Sequence, residues 1–110
     1  MAGRLDRGEI RLDRFAKPDK SRPVLLLTRG SAVPYLTSVT VAPISSTIRG
    51  VPSEVVLDAE DGMKGPCAIN LHNLVTVAKA GLGRRLTALS DDRMREVCGA
   101  IAFALNCEGD

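Results

Sequence analysis

Aromatic residues are scarce: Phe15, Tyr35 and Phe103 make up 3% of the 110 residues, and tryptophan is missing altogether. Three rings cannot tile a broad stacking platform for single-stranded nucleic acid, and Phe103 falls inside a helical pattern. Cysteine is equally sparse. Cys67, Cys98 and Cys107 form an odd set without CxxC or Cys/His spacing, which predicts neither a disulfide framework nor a zinc site. Cys98 lies on an apolar stripe, where it is expected to pack as a small hydrophobe. No apolar run approaches the roughly 18 residues needed to span a membrane, and residues 1–6 lack the apolar core of a secretory signal. The reduced cytoplasm is the expected setting. Charge of one sign is also lacking, since 15 Lys and Arg face 13 Asp and Glu for a net +2. That balance permits a nucleic-acid partner without arguing for one. GxGxxG, Walker A, HExxH, GxSxG and RNP patterns are all missing, so no cofactor or metal is expected.

What the chain does contain is a series of short strands. Glu9-Ile10-Arg11-Leu12-Asp13 alternates polar and apolar residues as a half-buried strand does. The mixed charges of residues 1–22 read most simply as its solvated face. Lys17-Pro18-Asp19-Lys20 predicts a tight reversal. Val24 to Leu27 is continuously apolar, the mark of a central strand buried on both faces. After a loop from Arg29 to Tyr35 the chain returns as a strand over Leu36 to Ile44, with Val39 and Val41 on one face and a break or sheet edge expected at Pro43. Ser53 to Leu57, Cys67 to Leu71 and Leu74 to Val77 follow, with turn chemistry at Asp61-Gly62 and Gly65-Pro66.

Only the C-terminus predicts a helix, over residues 90–105. Ser90 suits its N-cap, Asp91 and Asp92 favour the positive end of its dipole, and Met94, Val97, Cys98, Ile101, Ala102 and Leu105 recur at helical spacing. Residues 1–110 therefore read as one mainly β domain, a compact barrel of five to seven strands with one helix packed on it and a flexible lead over residues 1–6.

Chemistry concentrates at two strand ends. Ser21-Arg22-Pro23-Val24-Leu25 opens one apolar strand with an arginine, and Val41-Ala42-Pro43-Ile44-Ser45-Ser46 closes another with two adjacent hydroxyls. If the two strands are neighbours, Arg22 and Ser45 can meet at one end of a small sheet, and a cation beside a hydroxyl suits a phosphate. The plainer alternatives are an exposed arginine before a proline and a strand end feeding a turn. His72 is the sole histidine. With Asn70 it offers polar groups at alternate positions of a late strand, suited to base or sugar contacts.

The order of these pieces carries a resemblance. Arg7-Gly8-Glu9-Ile10, Ser21-Arg22-Pro23-Val24-Leu25, Val41 to Ser46, Val51-Pro52-Ser53-Glu54-Val55, and Leu82-Gly83-Arg84-Arg85-Leu86-Thr87-Ala88-Leu89-Ser90-Asp91 resemble, in that sequence, the MazF/PemK toxins of bacterial toxin–antitoxin systems. The resemblance spans about residues 7 to 105. It implies an SH3-like barrel, a homodimer, and a metal-independent endoribonuclease that cuts single-stranded RNA at short motifs and is restrained by a cognate antitoxin. It assigns Arg22 and Ser45 as the catalytic pair; Ser46, Lys20, Asn70 and His72 are further catalytic or RNA-binding candidates on their own chemistry and place in the sequence. The chain departs from the family's pattern in a short first loop, in Arg11 where an aromatic is usual, and in Asn70 and His72 at the late strand. A distinct cleavage motif is therefore expected. The alternative from another class is a non-catalytic toxin of CcdB type that binds DNA gyrase through the helix, in which Arg95, Glu96 and Asn106 would matter instead.

Overall fold

A computed structural model describes residues 5–14 and 22–106. Seven strands and one helix follow one another as β1 (Glu9–Asp13), β2 (Arg22–Leu26), β3 (Ser38–Ser45), β4 (Glu54–Leu57), β5 (Cys67–Asn70), β6 (Val75–Ala78), β7 (Leu82–Ala88) and α1 (Asp91–Leu105). All pairings are antiparallel, in the order β4-β5-β3-β2-β1-β7 with β6 also on β3. The strands thus make one seven-stranded antiparallel sheet with a C-terminal helix, and among the described residues no ladder joins β4 to β7 to close it.

β2 is the central strand that its continuous apolar run predicts. Leu25 packs with Ile10, Ala42, Ile44, Val55, Leu57, Ile69 and Leu71 on one face, whereas Val24 and Leu26 join Val33, Val39, Val41 and Leu82 on the other. Helix α1 seals the first face with Val97 and Ala100, flanked by the half-buried Met94 and Ile101. Full burial of a valine of this kind is worth about 1.5–3 kcal/mol. Ser90 Oγ accepts from Arg93 N at the helix start, and Asn106 ends it in the left-handed conformation at φ 55°.

Three expectations are corrected, and one strand is present that the sequence does not announce. Pro43 neither breaks β3 nor marks an outer edge; it sits inside the strand, opposite Val24. Thr40 turns its backbone groups toward β2, so alternation points the nitrogen of Pro43 to the other side. On that side β3 pairs with β6 as far as Val41 and with β5 from Ile44 onward. The missing N–H falls in the gap between the two neighbours.

The charged face of β1 is not solvated, since Glu9 and Asp13 are both buried. Arg11 Nε donates to Glu9 Oε1 at 2.8 Å and Asp6 N to the same oxygen at 3.2 Å, which offsets the cost of burying the carboxylate. β7 is a full strand on β1 despite its Gly83-Arg84-Arg85 segment. Cys98 is exposed rather than packed, because Val97 and Ala100 take the core-facing stripe, and Arg7 Nη2 donates to its sulfur at 3.5 Å. The reversal at Lys17 to Lys20, including Lys20 itself, and Cys107 lie outside the described residues. Among the described residues no helix is long and apolar enough to cross a membrane.

Candidate active site

The register of β2 on β3 matches Val24 with Pro43, Leu25 with Ala42 and Leu26 with Val41. Carried two residues further it sets Arg22 against Ser45, and residues directly opposite in an antiparallel pair share a face of the sheet. Both line one cavity of about 560 Å³ together with Pro23, Ile44, Ser46, Met63, Lys64, Gly65, Pro66 and Cys67. The walls are the start of β2, the end of β3 and the loop entering β5.

The lining holds two cations, Arg22 and Lys64, and no carboxylate. Among the described residues no hydrogen bond or ion pair engages the Arg22 side chain, whose backbone pairs with Asp13 of β1. Ser45 Oγ accepts from Thr47 N at 3.0 Å, a local turn that fixes the oxygen while leaving its own proton to donate elsewhere. Ser46 is exposed one residue beyond the strand. A guanidinium fork, a tethered hydroxyl donor and one ammonium facing one concavity make a lining whose chemistry suits an oxyanion rather than a cation. Cys67 contributes bulk rather than a thiolate, because burial pushes its thiol up and the carboxylates of Asp61 and Asp58 push in the same direction.

Asn70 and His72 do not line this cavity. Asn70 ends β5, two positions from Ala68, the residue paired with Ser45. It therefore lies on Ser45's face about 7 Å along the strand. Its Oδ1 is buried without a hydrogen-bond partner among the described residues. His72 is exposed in the turn beyond the strand, where its Nδ1 lies 2.6 Å from Oγ of the buried Ser53. The loop from Thr47 to Pro52 is drawn in by Glu54, whose carboxylate accepts from Arg49 N and from Gly50 N at 2.9 Å.

Met63 and Lys64 are the lining residues that the sequence did not single out. Their local sequence has no motif, and they reach the cavity through the pairing of β5 with both β3 and β4. Among the described residues no group of three or more His, Cys, Asp or Glu side chains could hold a metal ion.

Residues 6–105 match the family of PemK-like, MazF-like toxins of type II toxin–antitoxin systems. The chain is 40% identical over 94 residues to "Endoribonuclease MazF3" of Mycobacterium tuberculosis, covering 86% of this chain and 91% of that protein. It is 41% identical over 102 residues to "Probable endoribonuclease MazF5" of the same organism, covering 92% and 93%. Among solved structures, "Mycobacterium tuberculosis toxin MazF-mt6" superposes with a TM-score of 0.81 at 38% identity, over 89% of this chain and 96% of that one. A mycobacterial "Endoribonuclease in complex with its cognate antitoxin" shares the fold at a TM-score of 0.85 and 22% identity, over 96% and 99%. The gyrase-binding alternative loses its ground, since the relatives that match along most of the chain are endoribonucleases. A strand-end cavity that pairs a guanidinium with a hydroxyl, on a sheet shared with these proteins, leads to one assignment: the chain belongs to the PemK-like, MazF-like toxins of type II toxin–antitoxin systems and is an endoribonuclease of that family.

Proposed function

We propose that the protein cuts single-stranded RNA at a short sequence motif without a metal ion, with Arg22 and Ser45 gripping the scissile phosphate. The observation that carries this reading is their convergence on one cavity through the β2–β3 register. RNA supplies the nucleophile. Its 2′-oxygen attacks the adjacent phosphorus, the bond from phosphorus to the 5′-oxygen breaks, and the products are a 2′,3′-cyclic phosphate and a free 5′-hydroxyl. One proton leaves the 2′-hydroxyl and one reaches the departing 5′-oxygen.

Arg22 offers a planar fork to the non-bridging oxygens as charge builds on them, and the Ser45 hydroxyl donates to the same group. Ser46 stands one residue away as a further hydroxyl. The unpartnered Oδ1 of Asn70, on Ser45's face, is suited to accept from an exocyclic amine of a neighbouring base, and the anchored His72 ring to a sugar or base contact beyond it. Lys20 adds a cation two residues before Arg22 in the sequence.

We further propose that the curled sheet is an SH3-like barrel and that the protein works in the cytoplasm as a homodimer held by a cognate antitoxin. Exposed Tyr35 and Leu36, beside a cavity of about 1060 Å³ walled by Val33, Pro34 and Leu82, offer an apolar surface for a second copy to cover.

The test is to incubate purified protein with a panel of defined RNAs in EDTA and to map the new ends. Cyclic phosphate and 5′-hydroxyl termini at a recurring motif are expected, with matching DNA left intact. Intact RNA in EDTA with cleavage restored by magnesium would overturn the mechanism.

A further inference from the structure

We propose that Lys64 forms a second phosphate subsite beside the catalytic pair, holding the phosphate adjacent to the scissile one while Arg22 and Ser45 act on the scissile group itself. This subsite rests on the endoribonuclease reading above.

Lys64 lines the same cavity as Arg22, Ser45 and Ser46 and is exposed. Among the described residues no hydrogen bond or ion pair engages it. Of the three carboxylates of its own loop, Asp58 and Asp61 are already committed and Glu60 does not line the cavity. Asp58 Oδ1 accepts from Glu60 N at 2.9 Å, and Asp61 takes Arg93 on both oxygens. A free ammonium facing an anion-lined polymer in a cavity without carboxylates has phosphate as its natural ligand.

The loop holds this cation in place. On one side Gly62 sits against Thr87 of β7, so closely that a Cβ there would come within 2.5 Å of Thr87 Oγ1. On the other side Cys67 is locked into β5 opposite Leu57. Only residues 63–66 separate these fixed points, and Pro66 stiffens them further. Lys64 therefore projects from a short braced link, which lowers the ordering cost of binding. The two cations differ in suitability. Arginine's fork matches the phosphate where geometry changes during reaction, whereas lysine's point charge suits a phosphate that has only to be held.

The test compares wild type, Lys64→Ala and Lys64→Arg on an RNA carrying the cleavage site mapped for the wild-type protein. Lys64→Ala is expected to raise KM about tenfold with kcat within about twofold, and Lys64→Arg to restore most of the loss. Binding of the same RNA, blocked by a 2′-O-methyl group at the scissile nucleotide, should lose about 0.7 from its log–log salt slope in Lys64→Ala. A neutral methylphosphonate at one of the two flanking linkages should weaken the wild type and leave Lys64→Ala unaffected. Unchanged KM and salt slope in Lys64→Ala would overturn the subsite while leaving the nuclease intact. A fall in kcat alone would move Lys64 to the scissile phosphate and also overturn it. RNA left uncut by the wild-type protein would instead bring down the parent reading, and the subsite with it.

Discussion

Arg93 reaches back from the first turn of α1 and grips Asp61 with both ends of its fork, Nε to Oδ1 at 2.9 Å and Nη2 to Oδ2 at 3.0 Å. The pair ties the helix to the loop that walls the cavity, and the same guanidinium spends its remaining nitrogen on Glu96 at 3.0 Å. Asp61 is 10% exposed and Arg93 27%, so the contact is only partly screened by water. The hydrogen bond from Arg93 holds the Asp61 carboxyl below its ordinary range, and the same bond pushes the Arg93 guanidinium up.

A group with a lowered folded-state pKa stabilises the protein above its unfolded value and loses that contribution as pH falls through the folded value. Asp61→Asn is expected to cost about 1–3 kcal/mol at pH 7. The deficit should narrow as the pH is lowered below about 4, where the carboxyl of the unfolded chain takes up a proton while the folded one still resists it. Urea unfolding of both proteins at pH 7 and pH 3 measures this, and a deficit of equal size at both values would contradict it.

Gly62 sets the course of the same loop. It ends the 3-10 turn Ala59–Asp61 at φ 93°, a conformation that side chains with a Cβ adopt only under strain. A Cβ would also stand 2.5 Å from Thr87 Oγ1 and 2.9 Å from Thr87 Cβ. Gly62→Ala should therefore destabilise by more than about 1 kcal/mol. Adding Thr87→Ala removes part of the clash and none of the backbone cost, so partial recovery of the melting temperature is the expected outcome. Full recovery would show that the backbone carries no strain at this position.

How far the sequence announces this architecture follows from where the information is local. β1, β3 and β4 are legible because alternation survives in Ile10, Val39 with Val41, and Val55 with Leu57, and α1 because Ser90, the acidic first turn and Val97 agree. β7 is not legible, since its Gly83-Arg84-Arg85 stretch is exposed or half-buried and it becomes a strand only by pairing with β1, through two register irregularities. The buried Glu9 is likewise invisible locally, because its partner Arg11 lies two residues along the same face and looks solvated on paper. Arg22 and Ser45 could be picked out as strand ends with distinctive chemistry. Lys64 could not, because its place beside them depends on a β3–β5 pairing that bridges more than twenty residues of chain.

Removing the guanidinium tests the centre of the site most directly. Arg22→Ala is expected to lower RNA cleavage by at least about 100-fold, the scale of losing one transition-state donor. The side chain is exposed and, among the described residues, unengaged, so the melting temperature should hardly change. Arg22→Lys keeps the charge and forfeits the two-pronged geometry, and should stay well below the wild type. Cleavage near the wild-type rate in folded Arg22→Ala would remove this residue from the reaction.

The two neighbouring hydroxyls separate by what each already does. Ser45 Oγ accepts from Thr47 N, so Ser45→Ala deletes both a donor toward phosphate and the acceptor that shapes the turn, and a loss near 100-fold is expected. Ser45→Thr keeps the oxygen in both roles and should retain most activity. Ser46 is exposed past the end of β3, on the opposite parity from Ser45, so Ser46→Ala should change cleavage by less than about threefold. Single-turnover rates on one RNA for the three variants decide the matter. A severe loss in Ser46→Ala beside a mild one in Ser45→Ala would shift the active hydroxyl by one residue, to a side chain that the strand pairing does not aim at Arg22.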